Sequence, residues 1–281
     1  MAVLPFWISI AALSLVQGVV VAAPRALRLP ALERLGGRAW ALIPPLSVIG
    51  FVVVAGAAAR VSAQGLTYLA LVAVPLLAAL ALAWTAHGAR ALAALLVVPL
   101  FAVAWADRGG LAGEACALAL TALSCVTLGT LLAAVTPTAW LAAGIVAMAL
   151  ADMALVVADL LQRPNNALNA AHPAAGLPRL QSEVFGSAVM GYGDLFVAGA
   201  LGGLLAIAVG RSTQLRGALL TAVLALGFDL LFFTVRELPA TVPVAVALLL
   251  SGGVRRRSAR PRSPLGQAAT AATRPPARVG P

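Results

Sequence analysis

The sequence predicts an all-α, polytopic membrane protein with about nine transmembrane helices. Three observations carry that expectation. The 281 residues are 62% hydrophobic and only 10% charged, a balance that belongs to a bilayer-embedded chain rather than to a soluble domain. Long apolar runs recur along the chain, and a run of about twenty residues is what a helix needs to cross a bilayer. All five tryptophans (Trp7, Trp40, Trp84, Trp105 and Trp140) fall near the ends of those runs, where interfacial anchors sit.

The first run covers about Val3 to Ala23. It exceeds the apolar core of a secretory signal and no basic residue precedes it, so it reads as a membrane helix, with a removable signal as the alternative. Arg25, Arg28, Arg34 and Arg38 follow, against Glu33 alone. The second run extends from about Trp40 to Ala59 and stops at Arg60. The third spans about Leu66 to His87, before Arg90, and the fourth about Ala91 to Ala106. Asp107-Arg108-Gly109-Gly110 ends the fourth, and the fifth runs from about Leu111 to Val135 with Glu114 near its start.

Thr136-Pro137-Thr138 is a turn. The sixth run, about Ala139 to Leu161, contains Asp152 and Asp159. A loop from Gln162 to Glu183 carries Pro164, Pro173 and Pro178. The seventh run, about Val184 to Gly210, holds Met190-Gly191-Tyr192-Gly193-Asp194. Arg211 and Arg216 separate it from the eighth, about Gly217 to Val235, which contains Asp229. The ninth, about Leu238 to Gly253, opens on Pro239-Ala240-Thr241-Val242-Pro243. Residues 1–253 thus form one transmembrane domain. Residues 254–281, rich in arginine, proline, serine and alanine, cannot bury a core and read as a disordered tail.

A net charge of +10 raises the question of nucleic acid, but its distribution excludes that partner. All 19 basic residues are arginines, seven lie in the last 27 residues, and most others flank apolar runs. That is the positive-inside pattern. With nine crossings and the amino terminus outside, fourteen arginines fall on the cytoplasmic side and five on the other, which makes the tail cytoplasmic. Cys116 and Cys125 are nine residues apart on one helix, roughly 13 Å along its axis, too far to bridge. His87 and His172 are isolated, so no metal-ligand spacing emerges.

Asp194 places a carboxylate inside an apolar run, and intramembrane acids are costly and tend to mark functional sites. Gly191 and Gly193 remove side chains beside it, so that another backbone can approach. Asp152 lies eleven residues before Arg163, and Asp194 eleven residues after Glu183. On two antiparallel helices both acids would lie at one depth, roughly 16 Å from the same face. Two adjacent carboxylates do not both ionise easily: one keeps a proton while the other accepts one from water. Such a pair suits peptide hydrolysis, with a base to activate water and an acid to polarise the carbonyl. Asp159 is a rival first acid, but only four residues from Arg163, with which it can pair. Asp229 is a third buried acid, and Arg236-Glu237 reads as an interfacial ion pair.

Gly191-Tyr192-Gly193-Asp194 resembles the Gly-x-Gly-Asp motif of the presenilin and signal peptide peptidase family of intramembrane aspartyl proteases. That family has nine membrane helices, catalytic aspartates in the sixth and seventh, and a Pro-Ala-Leu motif opening the ninth. The resemblance covers about Ala139 to Leu250 and implies Asp152 and Asp194 as the catalytic pair, with Pro239, Ala240 and Thr241 as substrate-positioning residues. Ala151 stands where the family usually has tyrosine, Thr241 replaces the leucine, and Pro243 falls one position late. The implied activity is hydrolysis of peptide bonds in membrane-spanning substrates, with no metal and no organic cofactor. Prepilin peptidases offer a second pattern, in which Asp159 and Asp194 pair, although Phe196 stands where they carry a lysine. The non-enzymatic alternative is a proton-coupled transporter, in which buried acids serve as relays.

Overall fold

A computed structural model describes residues 4–27, 34–171, 173, 176–235 and 237–251, apart from the side chains of 55, 56, 59 and 60. The molecule is mostly helical, at 78%. Among the described residues, four helical stretches are long and apolar enough to cross a membrane: Val61–Thr85, Leu111–Val135, Thr138–Val157 and Arg211–Phe233. Five shorter apolar helices accompany them. Large apolar side chains such as Val61, Leu69, Val72, Leu219 and Val223 stand exposed on the outside, where a soluble fold would place polar ones.

The helices, in chain order, are α1 (Phe6–Ala22), α2 (Ile43–Leu80), α3 (Val97–Ala106), α4 (Leu111–Val135), α5 (Thr138–Val157), α6 (Gln162–Ala170), α7 (Tyr192–Ala208), α8 (Arg211–Asp229) and α9 (Thr241–Ser251). A hairpin of β1 (Ser182–Phe185) and β2 (Ala188–Gly191) precedes α7. Among these helices α7 is the most enclosed, buried along nearly its whole length from Leu195 to Ala208. It packs along α4, with α1, α5, α8 and α9 around it.

Glycine makes the α4–α7 contact possible. A Cβ at Gly199 would fall 2.3 Å from the carbonyl oxygen of Cys125, and one at Gly129 would fall 2.1 Å from the backbone of Gly199. Neither position has room for a side chain, so the two backbones touch. Without a hydrophobic driving force between helices in lipid, close approach at small residues supplies the packing energy.

Several expected boundaries change. The second and third expected helices are joined as α2, bent at Ala58, whose φ of −149° and ψ of 56° lie outside the helical region. The bend separates the apolar stretches Arg38–Val54 and Val61–Thr85, so the division near Arg60 survives as a kink rather than a loop. The sixth expected helix stops at Val157 instead of Leu161, because Asp159 adopts a positive φ of 55° in the turn that follows. The Gln162–Glu183 loop contains a short amphipathic helix, α6. Arg211 and Arg216 lie inside α8 rather than before it. Arg236, His172 and the tail from 252 onward lie outside the described residues, so neither the Arg236-Glu237 pair nor the disorder of residues 254–281 is addressed.

The largest departure precedes Asp194. Residues 184–191, expected to be helical, form most of the hairpin, with Ser182 opposite Gly191 and Glu183 opposite Met190. Gly186 takes a φ of 59° in the turn, a conformation that glycine adopts without steric cost. The turn is pinned on two sides. The Gly186 N–H donates to Glu114 Oε2 at 2.7 Å, and the Ser187 N–H donates to Ser9 Oγ at 3.2 Å. Asp194 therefore sits in the first turn of α7, not three turns into a longer helix, and the depth argument from helical rise does not apply to it.

Candidate functional site

Gly191 is the N-cap of α7, and Asp194 is the third residue of the helix. Its carboxylate reaches back so that Asp194 Oδ2 accepts the Gly191 N–H at 3.0 Å. An acid in the first helical turn also faces the positive end of the helix dipole. Gly191 has an ordinary φ of −77°, so the capping bond, rather than backbone strain, accounts for its place. The expectation that both glycines admit a neighbouring backbone is not met. The nearest atom to a Cβ at Gly193 is the flexible end of Met148, at 3.4 Å, and at Gly191 it is the Asp194 carboxylate, at 3.2 Å.

Asp152 is buried on α5. Its Oδ2 accepts the hydroxyl of Thr241 at 2.7 Å. Thr241, the first residue of α9, is fully buried. Both aspartates line one cavity of about 1000 Å³. Ala240 and Pro243 line the same cavity. The structure thus brings Asp152, Asp194 and the Pro239-Ala240-Thr241 segment to one place. Asp159 is exposed, is not among the residues lining the cavity, and makes no ion pair with Arg163. The residue past the end of α5 no longer follows the helical period that would have put it on the Asp152 face.

Gln17, Ser14 and Ser124, whose roles the sequence analysis did not assign, belong to the site or its supports. Gln17 of α1 is fully buried and lines the cavity. Its Nε2 donates to the Ala240 carbonyl at 2.8 Å and makes a longer contact of 3.5 Å with the Asp194 carbonyl. A signal existed: Ser9, Ser14 and Gln17 are the polar residues of an otherwise apolar helix, and polar groups in such helices face the protein interior. Ser14 donates to Asp229 Oδ2 at 2.7 Å, and Asp229 lines the cavity as a third acid. Tyr192 of the motif shares a 2.7 Å hydrogen bond with Ser124 of α4.

Glu183 of β1 is fully buried with no hydrogen-bond partner for either carboxylate oxygen among the described residues. Burial pushes its carboxyl well above the ordinary glutamate range, and the charge of Asp194 adds to the shift. The sequence places it at the end of a loop, and the hairpin buries it. Glu237, before α9, is raised as well, first by burial and then by the charge of Asp159.

Among the described residues, no group of three or more His, Cys, Asp or Glu side chains is placed to hold a metal ion. The cavity is mostly apolar, and two groups of polar side chains stand out in its lining. One is the dyad with Gln17; the other is Asn165, Asn166 and Asn169 of α6 with Gln181 and Ser182. Asn165 and Asn166 are exposed, so the cavity reaches the surface at α6. The arrangement can admit water to a pair of carboxylates enclosed by apolar helices. Comparison with known protein families, with curated proteins and with solved structures finds no match to this chain.

Proposed function

We propose that this helical membrane protein is an intramembrane aspartyl protease of the Gly-x-Gly-Asp type, an aspartic endopeptidase resembling the presenilin and signal peptide peptidase family. The observation that carries the reading is that Asp152 and Asp194, from separate helices, line one cavity beside the Pro239-Ala240-Thr241 segment. In this reading the shorter apolar helices also cross the bilayer, for nine crossings in all, and the arginine-rich tail is cytoplasmic.

Each aspartate is held through Oδ2, by Thr241 or by the Gly191 N–H. The Oδ1 atoms are left to face water and substrate. One carboxylate takes a proton from water as the oxygen attacks the scissile carbonyl carbon. The other, protonated, donates to the carbonyl oxygen as it gains charge. The tetrahedral intermediate collapses when the nitrogen receives a proton and the C–N bond breaks, yielding a carboxylic acid and an amine. Every proton is moved between water, the two carboxyls and the peptide, and no cofactor enters. The substrate is a membrane-spanning peptide whose backbone must unwind to reach the dyad.

The test is incubation of purified protein with membrane-helix peptides, with and without a transition-state inhibitor of aspartyl proteases. Cleavage that the inhibitor blocks, and that D152N and D194N each abolish, is the expected result. Cleavage that survives either substitution would overturn the dyad. Asp229 and Glu237 also line the cavity, which favours proton-coupled transport as the second reading. Solute flux in liposomes without any cleavage would establish it. The Asp159/Asp194 pairing of the prepilin-peptidase reading has no comparable support, since Asp159 is exposed and is not among the lining residues.

A further inference from the structure

The sequence places a threonine where the resembled family has leucine, and the structure gives that hydroxyl a partner. We propose that Thr241 is a positioning residue of the dyad, its hydroxyl fixing Asp152 while Gln17 ties the Thr241 segment to Asp194. The inference rests on the protease reading and assigns Thr241 a role that a leucine cannot fill. Residue 241 then acts on the aspartate rather than on the substrate.

The geometry forms a continuous chain. Thr241 Oγ1 donates to Asp152 Oδ2 at 2.7 Å in a fully buried setting. The preceding residue, Ala240, accepts the Gln17 amide at 2.8 Å, and the same Nε2 lies 3.5 Å from the Asp194 carbonyl. Three helices, α1, α5 and α7, are thereby joined at the first turn of α9. A hydroxyl donor on a carboxylate is charge-assisted and directional, and in an apolar surround it carries more weight than in water. It holds one oxygen of Asp152 outside the reaction and turns the other toward the cavity. The isolated carboxyl could otherwise rotate about its terminal torsion, which is broad. A misplacement of about 1 Å in a catalytic group can cost on the order of 100-fold in rate.

The test compares Thr241→Val, which keeps shape and loses the hydroxyl, with Thr241→Ser, which keeps the hydroxyl. Both are made in the full chain in lipid nanodiscs, with membrane-helix peptides as substrate. Thr241→Val is expected to lower kcat about 10- to 100-fold with KM little changed, because the lost contact serves the transition state and not ground-state binding. Thr241→Ser is expected to restore most of that loss. A merely structural role would lower folding yield or raise KM without a kcat-specific loss that serine restores. A kcat unchanged in Thr241→Val, or a loss that serine does not restore, overturns the proposal.

A second measurement separates this inference from the protease reading. Thermal unfolding of Thr241→Val, Asp152→Ala and the double variant forms a cycle that needs no cleavage. Non-additive midpoints are expected, because each single change removes the same hydrogen bond. Additive midpoints overturn the contact even if the protein is a protease. Non-additive midpoints in a protein that cleaves nothing uphold the contact and reject the protease reading alone.

Discussion

Asp194 and Glu183 illustrate how local geometry sets the chemistry of individual carboxyls. Asp194 has a backbone donor and a helix dipole, while Glu183 is buried without either. Its raised folded-state titration has a consequence for stability. In the folded protein the carboxyl holds its proton above the ordinary glutamate value of 4.5, whereas the unfolded chain releases it there. Folding therefore takes up a proton in that range. Stability is greatest below the unfolded value and declines as pH rises toward the folded one. E183Q cannot ionise, so its melting temperature in detergent should fall less steeply above pH 4.5 than that of the wild type. Parallel curves would show that Glu183 is not protonated in the folded state. At the dyad, D152N and D194N should each lower peptide cleavage at least about 100-fold, the scale of general acid–base catalysis, while melting temperatures stay close to wild type. Circular dichroism and a cleavage assay on the same preparations decide between chemical and structural loss.

The helices that position the site depend on close contacts which hydropathy does not report. Gly199 lies against the Cys125 carbonyl oxygen, so Gly199→Val must push α7 away from α4. The expected cost is about 1–3 kcal/mol, typical of overpacking, seen as a lower unfolding midpoint and reduced cleavage together. Gly227, which has nothing within 4 Å of a Cβ, is the control: Gly227→Ala should not destabilise. The hairpin is the element that sequence reading missed. Val184 to Gly191 continues an apolar run, and a continuous apolar stretch does not by itself distinguish strand from helix. Gly186-Ser187 was a turn signal inside it, but the tie from Glu114 that holds the turn comes from a residue 72 positions away in the chain.

For the molecule as a whole, the proposed nine crossings would impose an alternation of sides. In a cysteine-free background, single cysteines at Gly109 and Asn169 should react with an impermeant thiol reagent in intact cells. Cysteines at Ala89, Thr136, Thr213 and within the tail should not. Labelling of a tail cysteine would reverse the orientation derived from the arginine count. Labelling that does not alternate would reduce the number of crossings toward the four long helices. The cavity gives this topology its functional meaning, because one opening at α6 would let water reach carboxylates that are otherwise enclosed by apolar helices.

Hydropathy and charge alone account for the helical membrane class, for most helix positions and for Asp152 and Asp194 as residues of interest. Those properties are local: an apolar run must cross or be buried, and an acid within one is expensive wherever it ends up. What depended on tertiary structure was which acids share a cavity. Asp159 left the candidate pair because α5 ends at Val157, and Asp194 reached its place through a hairpin rather than through helical rise. Gln17 and the hydroxyl of Thr241 joined the site through contacts between distant segments. Side-chain identity specifies that such groups need partners, but only the packing of α1, α5, α7 and α9 specifies which partners they meet.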